Sequence, residues 1–476
     1  MYRTNQFYID GQWVDPIGGE RFELINPATE QRCGTLSMGD ERDVDRAVLA
    51  AKAAFDSYSL WTTAERIELL ERVLFIYKRR YEEFAQAMTL EMGVPITFSR
   101  DAQAARGIAH IDEIIRVLRS FEFDHRQGTT LIRREAIGVC GLITPWNWPI
   151  NQIVVKIAPA LAAGCTIVIK PSEYSALSAL LFAEVLDEAG VPPGVFNLIN
   201  GNGRTVGSAL SAHPLVDMVS FTGSTQAGIQ VAKTAADTVK RVAQELGGKS
   251  ANILLEDADF EVAVRKGVAG CFTNSGQSCS IPTRMIVPRS KLGVVADIAR
   301  ATAAEYRLGD PLDVSTQLGP LVNNAQYERV QRLIESGIEE GAELIIGGTG
   351  KPEGLQVGYY AKPTVFVNVS PEMTIAQEEI FGPVLAVIPY DTEEEAIEIA
   401  NGTPYGLAAY VQSGSIDRAR KVGERLRAGG VHLNYPAADL GAPFGGYKQS
   451  GNGREWGEHG LIEYLETKSI VGYFAK

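Results

Sequence analysis

The amino-acid sequence predicts an α/β fold made of two successive strand–helix series. From Gly138 onward short apolar runs alternate with stretches of helical periodicity, the pattern of a parallel sheet covered on both faces. The alternation restarts near Ala251 with a fresh set of strands. The length of 476 residues also exceeds what one hydrophobic core fills, so two or three domains are expected. Gly247-Gly248, between the two series, marks the expected boundary.

Taken in order, Phe7-Tyr8-Ile9-Asp10-Gly11-Gln12-Trp13-Val14 alternates about an Asp-Gly turn and reads as a hairpin. Helical periodicity dominates from Val44 to Ile115, broken at Gly93-Val94-Pro95, and its clearest amphipathic stretch runs from Ala64 to Leu90. Residues 121–135 read as strands lying outside the core. Strands are then expected at 137–143, 166–170, 195–199 and 218–222, with helices at 150–162, 175–189 and 224–237. In the second series strands are expected at 251–255, 285–287, 344–346, 384–388 and 408–411, with acidic helices such as 393–400 between them. Ligands of parallel sheets bind beyond the carboxyl ends of the strands. Thr144-Pro145-Trp146-Asn147, Lys170-Pro171-Ser172-Glu173 and Thr222-Gly223-Ser224 all fall at such ends.

Bulk composition narrows the function. A formal net charge of −13 argues against a surface for nucleic acid or an anionic membrane, and says little about a small substrate. The longest apolar stretch, Ile157 to Ile169, is too short to span a bilayer and holds Pro159 and Gly164. Met1-Tyr2-Arg3-Thr4-Asn5 runs straight into strand-like sequence, so no leader is expected and the expected compartment is the cytoplasm. Five cysteines without paired spacing fit a reduced protein, and neither they nor the five histidines show metal-ligand spacing, so no metal is expected.

The chemistry centres on Cys271-Phe272-Thr273-Asn274-Ser275-Gly276-Gln277-Ser278-Cys279, which closes a helix and sets a thiol past a Gly-Gln turn. Small polar neighbours surround Cys279, where a structural cysteine would have apolar ones. Glu245 follows an apolar strand and precedes Gly247-Gly248; it reads as a general base or as a solvated strand-end acid. Asn147, in the stiff loop Pro145-Trp146-Asn147-Trp148-Pro149, suits either an oxyanion donor or a turn. Phe221-Thr222-Gly223-Ser224 opens a helix whose first N–H groups suit a diphosphate, although plain capping is the commoner use. Gly201-Asn202-Gly203 begins a GxGxxxG run that recurs twice elsewhere, so that spacing carries little weight; Gly248-Lys249-Ser250 lacks the first glycine of a phosphate-binding loop.

Together and in order, seven segments resemble the aldehyde dehydrogenase superfamily across nearly the whole chain. They are Pro145–Pro149, Lys170–Glu173, Phe221–Ser224, Glu245-Leu246-Gly247-Gly248-Lys249, Gly276–Cys279, Glu379-Ile380-Phe381-Gly382-Pro383 and Pro443-Phe444-Gly445-Gly446-Tyr447-Lys448. The resemblance implies a Rossmann-like dinucleotide-binding domain at 1–119 and 137–247, and a second α/β catalytic domain at 248–448. Segments 120–136 and 449–476 would form the oligomerisation arm of a homotetramer built as a dimer of dimers.

It also implies roles. Cys279 would attack an aldehyde, Asn147 and the Cys279 N–H would hold the oxyanion, and Glu245 would activate water against the resulting thioester. Lys156 and Glu455 match a proton relay, with ordinary structural ions as the other reading. Lys170 and Glu173 would meet the adenosine ribose, Ser224 the diphosphate, and Glu379 the nicotinamide ribose beside Phe381. Ile143, Trp146, Ser172, Gly203, Phe221, Gly223 and Leu246 complete the expected cofactor cleft. Glu173 favours NAD over NADP, because a carboxylate accepts from a free 2′-hydroxyl and repels a 2′-phosphate. Trp148, Asn151, Gln152, Val155, Thr273, Ser278, Ser280 and Ala438 are the expected channel walls, and their polarity points to a bulky or functionalised aldehyde. Glu245 argues against an acylating, coenzyme A-dependent relative, and Glu245 with Cys279 against a non-catalytic one; a cysteine hydrolase would need a histidine, and none lies near Cys279 in sequence.

Overall fold

The computed structural model describes residues 2–475; Met1 and Lys476, which the expected leader-free start and the expected domain bounds touch, lie outside them. The chain opens with the hairpin β1 (Phe7–Ile9) and β2 (Gln12–Val14), then a second antiparallel pair, β3 (Glu20–Asn26) and β4 (Gln31–Met38). The second pair was not expected. Its residues are mostly exposed, so no clean period-2 pattern marks it.

Three helices follow: α1 (Glu41–Tyr58), α2 (Thr63–Arg79) and α3 (Tyr81–Met92). The first two start at capping boxes, Asp40 with Asp43 and Thr62 with Glu65, each satisfying N–H groups the first turn leaves open. Gly93, left-handed, ends the third. The chain resumes as a π-helical turn, Ser99–Ala104, that leads into the helix Ala105–Leu118.

The arm segment forms β5 (Asp124–Gln127) and β6 (Thr130–Ala136), which pair with each other. The first parallel series is β7 (Val139–Ile143), β8 (Thr166–Lys170), β9 (Phe196–Leu198), β10 (Met218–Thr222) and β11 (Arg241–Glu245). Its strands lie in the order β11-β10-β7-β8-β9, extended by β1 and β2 at one edge. Because β8 and β9 lie to one side of β7 and β10 to the other, the chain reverses direction at β7, and a crevice opens between the ends of β7 and β10. Helix Pro149–Ala163 is buried at almost every position against this sheet.

The second sheet contains β12 (Ala251–Leu254), β13 (Arg284–Pro288), β14 (Glu343–Ile346), β15 (Thr364–Val367), β16 (Val384–Tyr390), β17 (Ala408–Gln412) and β18 (Gly430–Leu433). All neighbours are parallel except β14 on β15. β19 (Gly451–Asn452) returns to the first sheet beside β11, and β20 (Leu465–Ile470) pairs with β6. Strands β15 and β18 were not expected.

The chain thus crosses from the first sheet to the second only six residues apart, at Glu245 and Ala251. The carboxyl edge of one sheet meets the amino edge of the other at Gly247-Gly248. Arg284 fixes this junction from the far side. Fully buried, it donates to the carbonyls of Lys249 at 2.9 Å, Ile399 at 2.7 Å and Ala400 at 2.8 Å, the last two at the end of helix Glu393–Asn401. Cutting it to Arg284→Met strands three buried acceptors, a loss of about 3 kcal/mol or more. The apparent Tm followed by circular dichroism should fall sharply; a variant that melts with the wild type would remove this role.

Candidate active site

The loop after β7 enters helix Pro149–Ala163 through Pro149 at its first turn, where a missing N–H costs nothing. That fixes Asn147. Its carbonyl accepts from Gln103 Nε2 at 3.1 Å and Asn274 Nδ2 at 2.9 Å, and its own Nδ2 donates to the Gln277 carbonyl at 3.1 Å. One amide hydrogen of a buried carboxamide is therefore spent and one is left to donate.

The cysteine loop is held from the other side. Asn274, Ser275 and Gly276 are consecutive left-handed residues with φ of 55°, 55° and 77°. Gly276 is required, since a Cβ there would overlap the backbone of Gly382. A left-handed serine costs of order 1–3 kcal/mol. Ser275 is tied down by its hydroxyl, which donates to the Gly319 carbonyl at 2.9 Å. The turn delivers Cys279 against the sheet junction, where a Cβ on Gly248 would collide with the Cys279 carbonyl.

Glu245, at the end of β11, is buried and neither carboxylate oxygen has a hydrogen-bond partner. This removes the alternative of a solvated strand-end acid. Burial pushes its carboxyl well above the usual range, and the Glu455 carboxylate adds to the effect, against Lys156 and Arg454. Burial likewise raises the Cys279 thiol, with Glu245 and Glu379 adding to the rise. Polar neighbours do not ionise this thiol. The group is walled in by protein yet still partly open to solvent.

Behind Glu245, Lys156 is buried, donates to the Ser220 hydroxyl at 3.0 Å and is paired with the Glu455 carboxylate. Glu245, Ser220, Arg454, Glu455 and Tyr464 line one narrow cavity. Lys156 and Glu455 thus stand together beside Glu245.

Along the crevice between the strand ends, buried Lys170 donates to the Gly201 carbonyl at 2.8 Å and lies 3.4 Å from Glu173. Ser172 caps the turn that begins at Glu173. The Ser224 hydroxyl caps helix Thr225–Ala235, accepting from the Ala227 N–H at 3.3 Å. A Cβ on Gly223 would strike the Phe221 ring. Ile143, Phe221 and Leu246 are buried at the same sheet edge, whereas Gly203 is exposed with open space around it. Glu379 accepts from the Gly248 N–H at 3.0 Å, and a Cβ on Gly247 would displace this carboxylate from its place. Burial lifts Glu379 to about 7, opposed by the Gly248 N–H, Arg329 and Lys249. Phe381 stands edge-on to Trp146 with ring centroids 5.5 Å apart. The orphaned hydroxyls of Thr144 and Thr222 and the side chain of Asn200, all buried at strand ends, leave polar groups free for a ligand.

The expected channel walls fall less uniformly. Trp148 donates from its indole to Ser278 and packs edge-on against Phe98 at 5.5 Å. Asn151 is bound to His110 at 2.9 Å, and Thr273 donates back to the Ala269 carbonyl at 3.0 Å. Gln152 is buried with its carbonyl oxygen unpartnered, and Val155 is buried beside Glu245. Ser280 is partly exposed and its carbonyl accepts from Tyr410 at 3.1 Å; Ala438 sits on an exposed loop. Much of the polarity read from composition is therefore satisfied internally. Gln103 and Ser220 carry no sequence signal for the parts they play, while Asn274 lay inside the cysteine stretch without being singled out.

Comparison with known proteins agrees with this geometry. Residues 13–470 match the model of the aldehyde dehydrogenase family. The chain belongs to that family and is an NAD(P)-dependent aldehyde dehydrogenase. It is 56% identical over 474 residues, 99% of each chain, to the 3-succinoylsemialdehyde-pyridine dehydrogenase of a Pseudomonas species. Its fold matches a cysteine-to-alanine variant of aldehyde dehydrogenase C from Pseudomonas syringae, solved with NAD+ and octanal, at a TM-score of 0.98 and 54% identity over 99% of this chain and 97% of that one. The NAD+ complex of a Bacillus cereus aldehyde dehydrogenase matches at 0.95 and 40% identity, over 98% and 96%.

The raised thiol has a direct readout. Alkylation of Cys279 by iodoacetamide in the free enzyme should be slow at neutral pH and climb only above the pH range in which an ordinary cysteine reacts. Glu245→Gln should move that climb to lower pH, because it removes the carboxylate that acts most strongly on the sulfur. A profile with an apparent pKa at or below an ordinary cysteine's would contradict the assignment.

Proposed function

We propose that the enzyme oxidises a bulky or functionalised aldehyde to its carboxylic acid, with NAD as the preferred acceptor and water as the final nucleophile. The observation that carries this reading is Glu245: a buried carboxylate with both oxygens unpartnered, whose charge raises the Cys279 thiol more than any other charged group does. Moving the thiol proton to that carboxylate exchanges one buried charge for another rather than creating a pair, so the two groups share a single negative charge.

Cys279 Sγ then bonds to the aldehyde carbon, and the carbonyl oxygen becomes an oxyanion facing the unspent Asn147 amide hydrogen. NAD, when bound, supplies the acceptor for the hydride that leaves this carbon. Cys279 is left as a thioester. Once Glu245 has given up the thiol proton it takes one from water, whose oxygen attacks the thioester carbon; the C–S bond breaks, the acid departs and the sulfur takes back the proton held by Glu245. Lys156, paired with Glu455 in the adjoining cavity, can pass the surplus proton outward.

The cofactor cleft is compatible with NAD. Glu379 can accept from one ribose, the Ser224-capped helix can meet the diphosphate, and Lys170 with Glu173 can hold the other ribose. A 2′-phosphate would lie against the Glu173 carboxylate. kcat/KM should therefore favour NAD over NADP, and Glu173→Gln should narrow the gap; a wild-type preference for NADP would reverse the reading. The breadth of the substrate is supported by relatives whose names or complexes include a pyridine-bearing semialdehyde and octanal.

The decisive test is Glu245→Gln. Steady-state acid formation should drop by about 10²–10⁴. A stopped-flow burst of NADH of up to one equivalent per active site should remain but form more slowly, because Glu245 also takes the thiol proton, whereas turnover beyond the burst loses the base of thioester hydrolysis. Loss of burst and steady state together would place Glu245 earlier in the reaction and defeat the hydrolytic role.

A further inference from the structure

Behind the junction of the two sheets lies a narrow polar cavity that the proposed chemistry does not use. Lys249, Ser250, Arg284, Asn401, Tyr405 and Arg427 line it, and among the described residues none of its lining is acidic. Its inner part is buried: Lys249 is 2% exposed and Ser250 3%, and neither the Lys249 Nζ nor the Ser250 Oγ has a hydrogen-bond partner. Its outer part carries Arg427, exposed and standing over the Tyr447 ring at 5.5 Å. Arg284 spends donors on the carbonyls of Lys249, Ile399 and Ala400. Lys448 holds the wall from outside, donating to the carbonyls of Asn401 and Thr403, each at 2.8 Å. The cavity thus leads from an exposed cation to a buried one, with no carboxylate along it. Buried donors without acceptors are costly. Burial and the Arg284 charge pull the Lys249 ammonium down to about 7, against Cys271, Glu379 and Glu378.

We propose that this cavity is an anion site, in which the Lys249 ammonium and the Ser250 hydroxyl hold one small inorganic monoanion of chloride's size. An acceptor of that charge satisfies both unpartnered donors at once and offsets the repulsion between Lys249 and Arg284. The basic lining selects the sign of the ion. A cation would face Lys249, Arg284 and Arg427 without one carboxylate to meet it, and the two acids that act on Lys249, Glu379 and Glu378, stand outside the lining. The site adjoins the sheet junction. Lys249 follows Gly248, whose N–H binds Glu379 at 3.0 Å, and the Lys249 carbonyl is held by Arg284 at 2.9 Å. The ion therefore completes the charge balance behind the loop that seats Glu379, and its binding stabilises the folded enzyme by mass action.

The test uses the full-length enzyme and bromide as the probe. Crystals soaked in sodium bromide should show an anomalous peak in the cavity, in contact with Lys249 Nζ and Ser250 Oγ. In solution the apparent Tm is followed at neutral pH and constant ionic strength while sodium gluconate, whose anion is too large to enter, is exchanged for sodium chloride. The wild type should rise along a saturating curve. Ser250→Ala should raise the half-saturating concentration at least threefold, and Lys249→Met should abolish both the saturable rise and the bromide peak. Where Lys249→Met does not fold, the wild-type bromide map and Ser250→Ala decide the matter. Absence of bromide from the wild-type cavity overturns the assignment. So does a wild-type Tm that responds alike to chloride and gluconate, or a chloride response that Ser250→Ala leaves unchanged.

Discussion

The close approach of two backbones at Gly247-Gly248 governs the rest of this structure. Here the carboxyl edge of one parallel sheet meets the amino edge of another, with the Cys279 carbonyl against Gly248 and the Glu379 carboxylate against Gly247. A side chain at Gly248 would press on the Cys279 backbone, and one at Gly247 would displace the Glu379 carboxylate. Cys279, Glu245 and Glu379 thus meet at one junction, with the main-chain contact between Gly248 and the Cys279 carbonyl at its centre. Arg284 holds the same junction from behind through three carbonyls.

The electrostatics of the site follow from that closeness. Burial holds the Cys279 thiol in its protonated form, with Glu245, Glu379 and Glu455 adding to the rise, and burial likewise pushes the Glu245 carboxyl upward. Such a centre is quiet until a substrate makes proton movement worthwhile. The buried Lys156 beside Glu455 supplies the balancing positive charge without touching the sulfur.

Much of this was legible in the sequence, for physical reasons. The parallel strands of both sheets are continuous apolar runs with few competing interpretations, and the glycine pairs and the Pro-flanked loop are local features that survive without an alignment. The exposed pair β3–β4 was not legible because its faces differ too little in polarity. β14, β15 and β18 are four residues each, too short for periodicity to separate strand from loop; β14 was expected and the other two were not. At the site, residue identity pointed to Cys279, Glu245 and Asn147. It could not say whether the thiol would be acidified or protected, since that depends on which carboxylates converge from distant segments. Likewise Thr273, Asn151 and Ser278 looked like free polar walls, and only three-dimensional contact reveals that each already has a partner.

The three-residue left-handed turn at Asn274-Ser275-Gly276 has a consequence for how such an enzyme can diversify. Its shape is set by glycine contacts and main-chain acceptors, with Gly276 lodged against Gly382 and Ser275 anchored to Gly319. The reacting frame is then almost independent of the side chains on the helix and loops that flank the channel. Residues such as Phe98, Asn151 and Ala438, which make none of these contacts, can be exchanged without disturbing that turn. Selection for a new aldehyde can act on those walls alone, as one retools the jaws of a vice without recutting its screw.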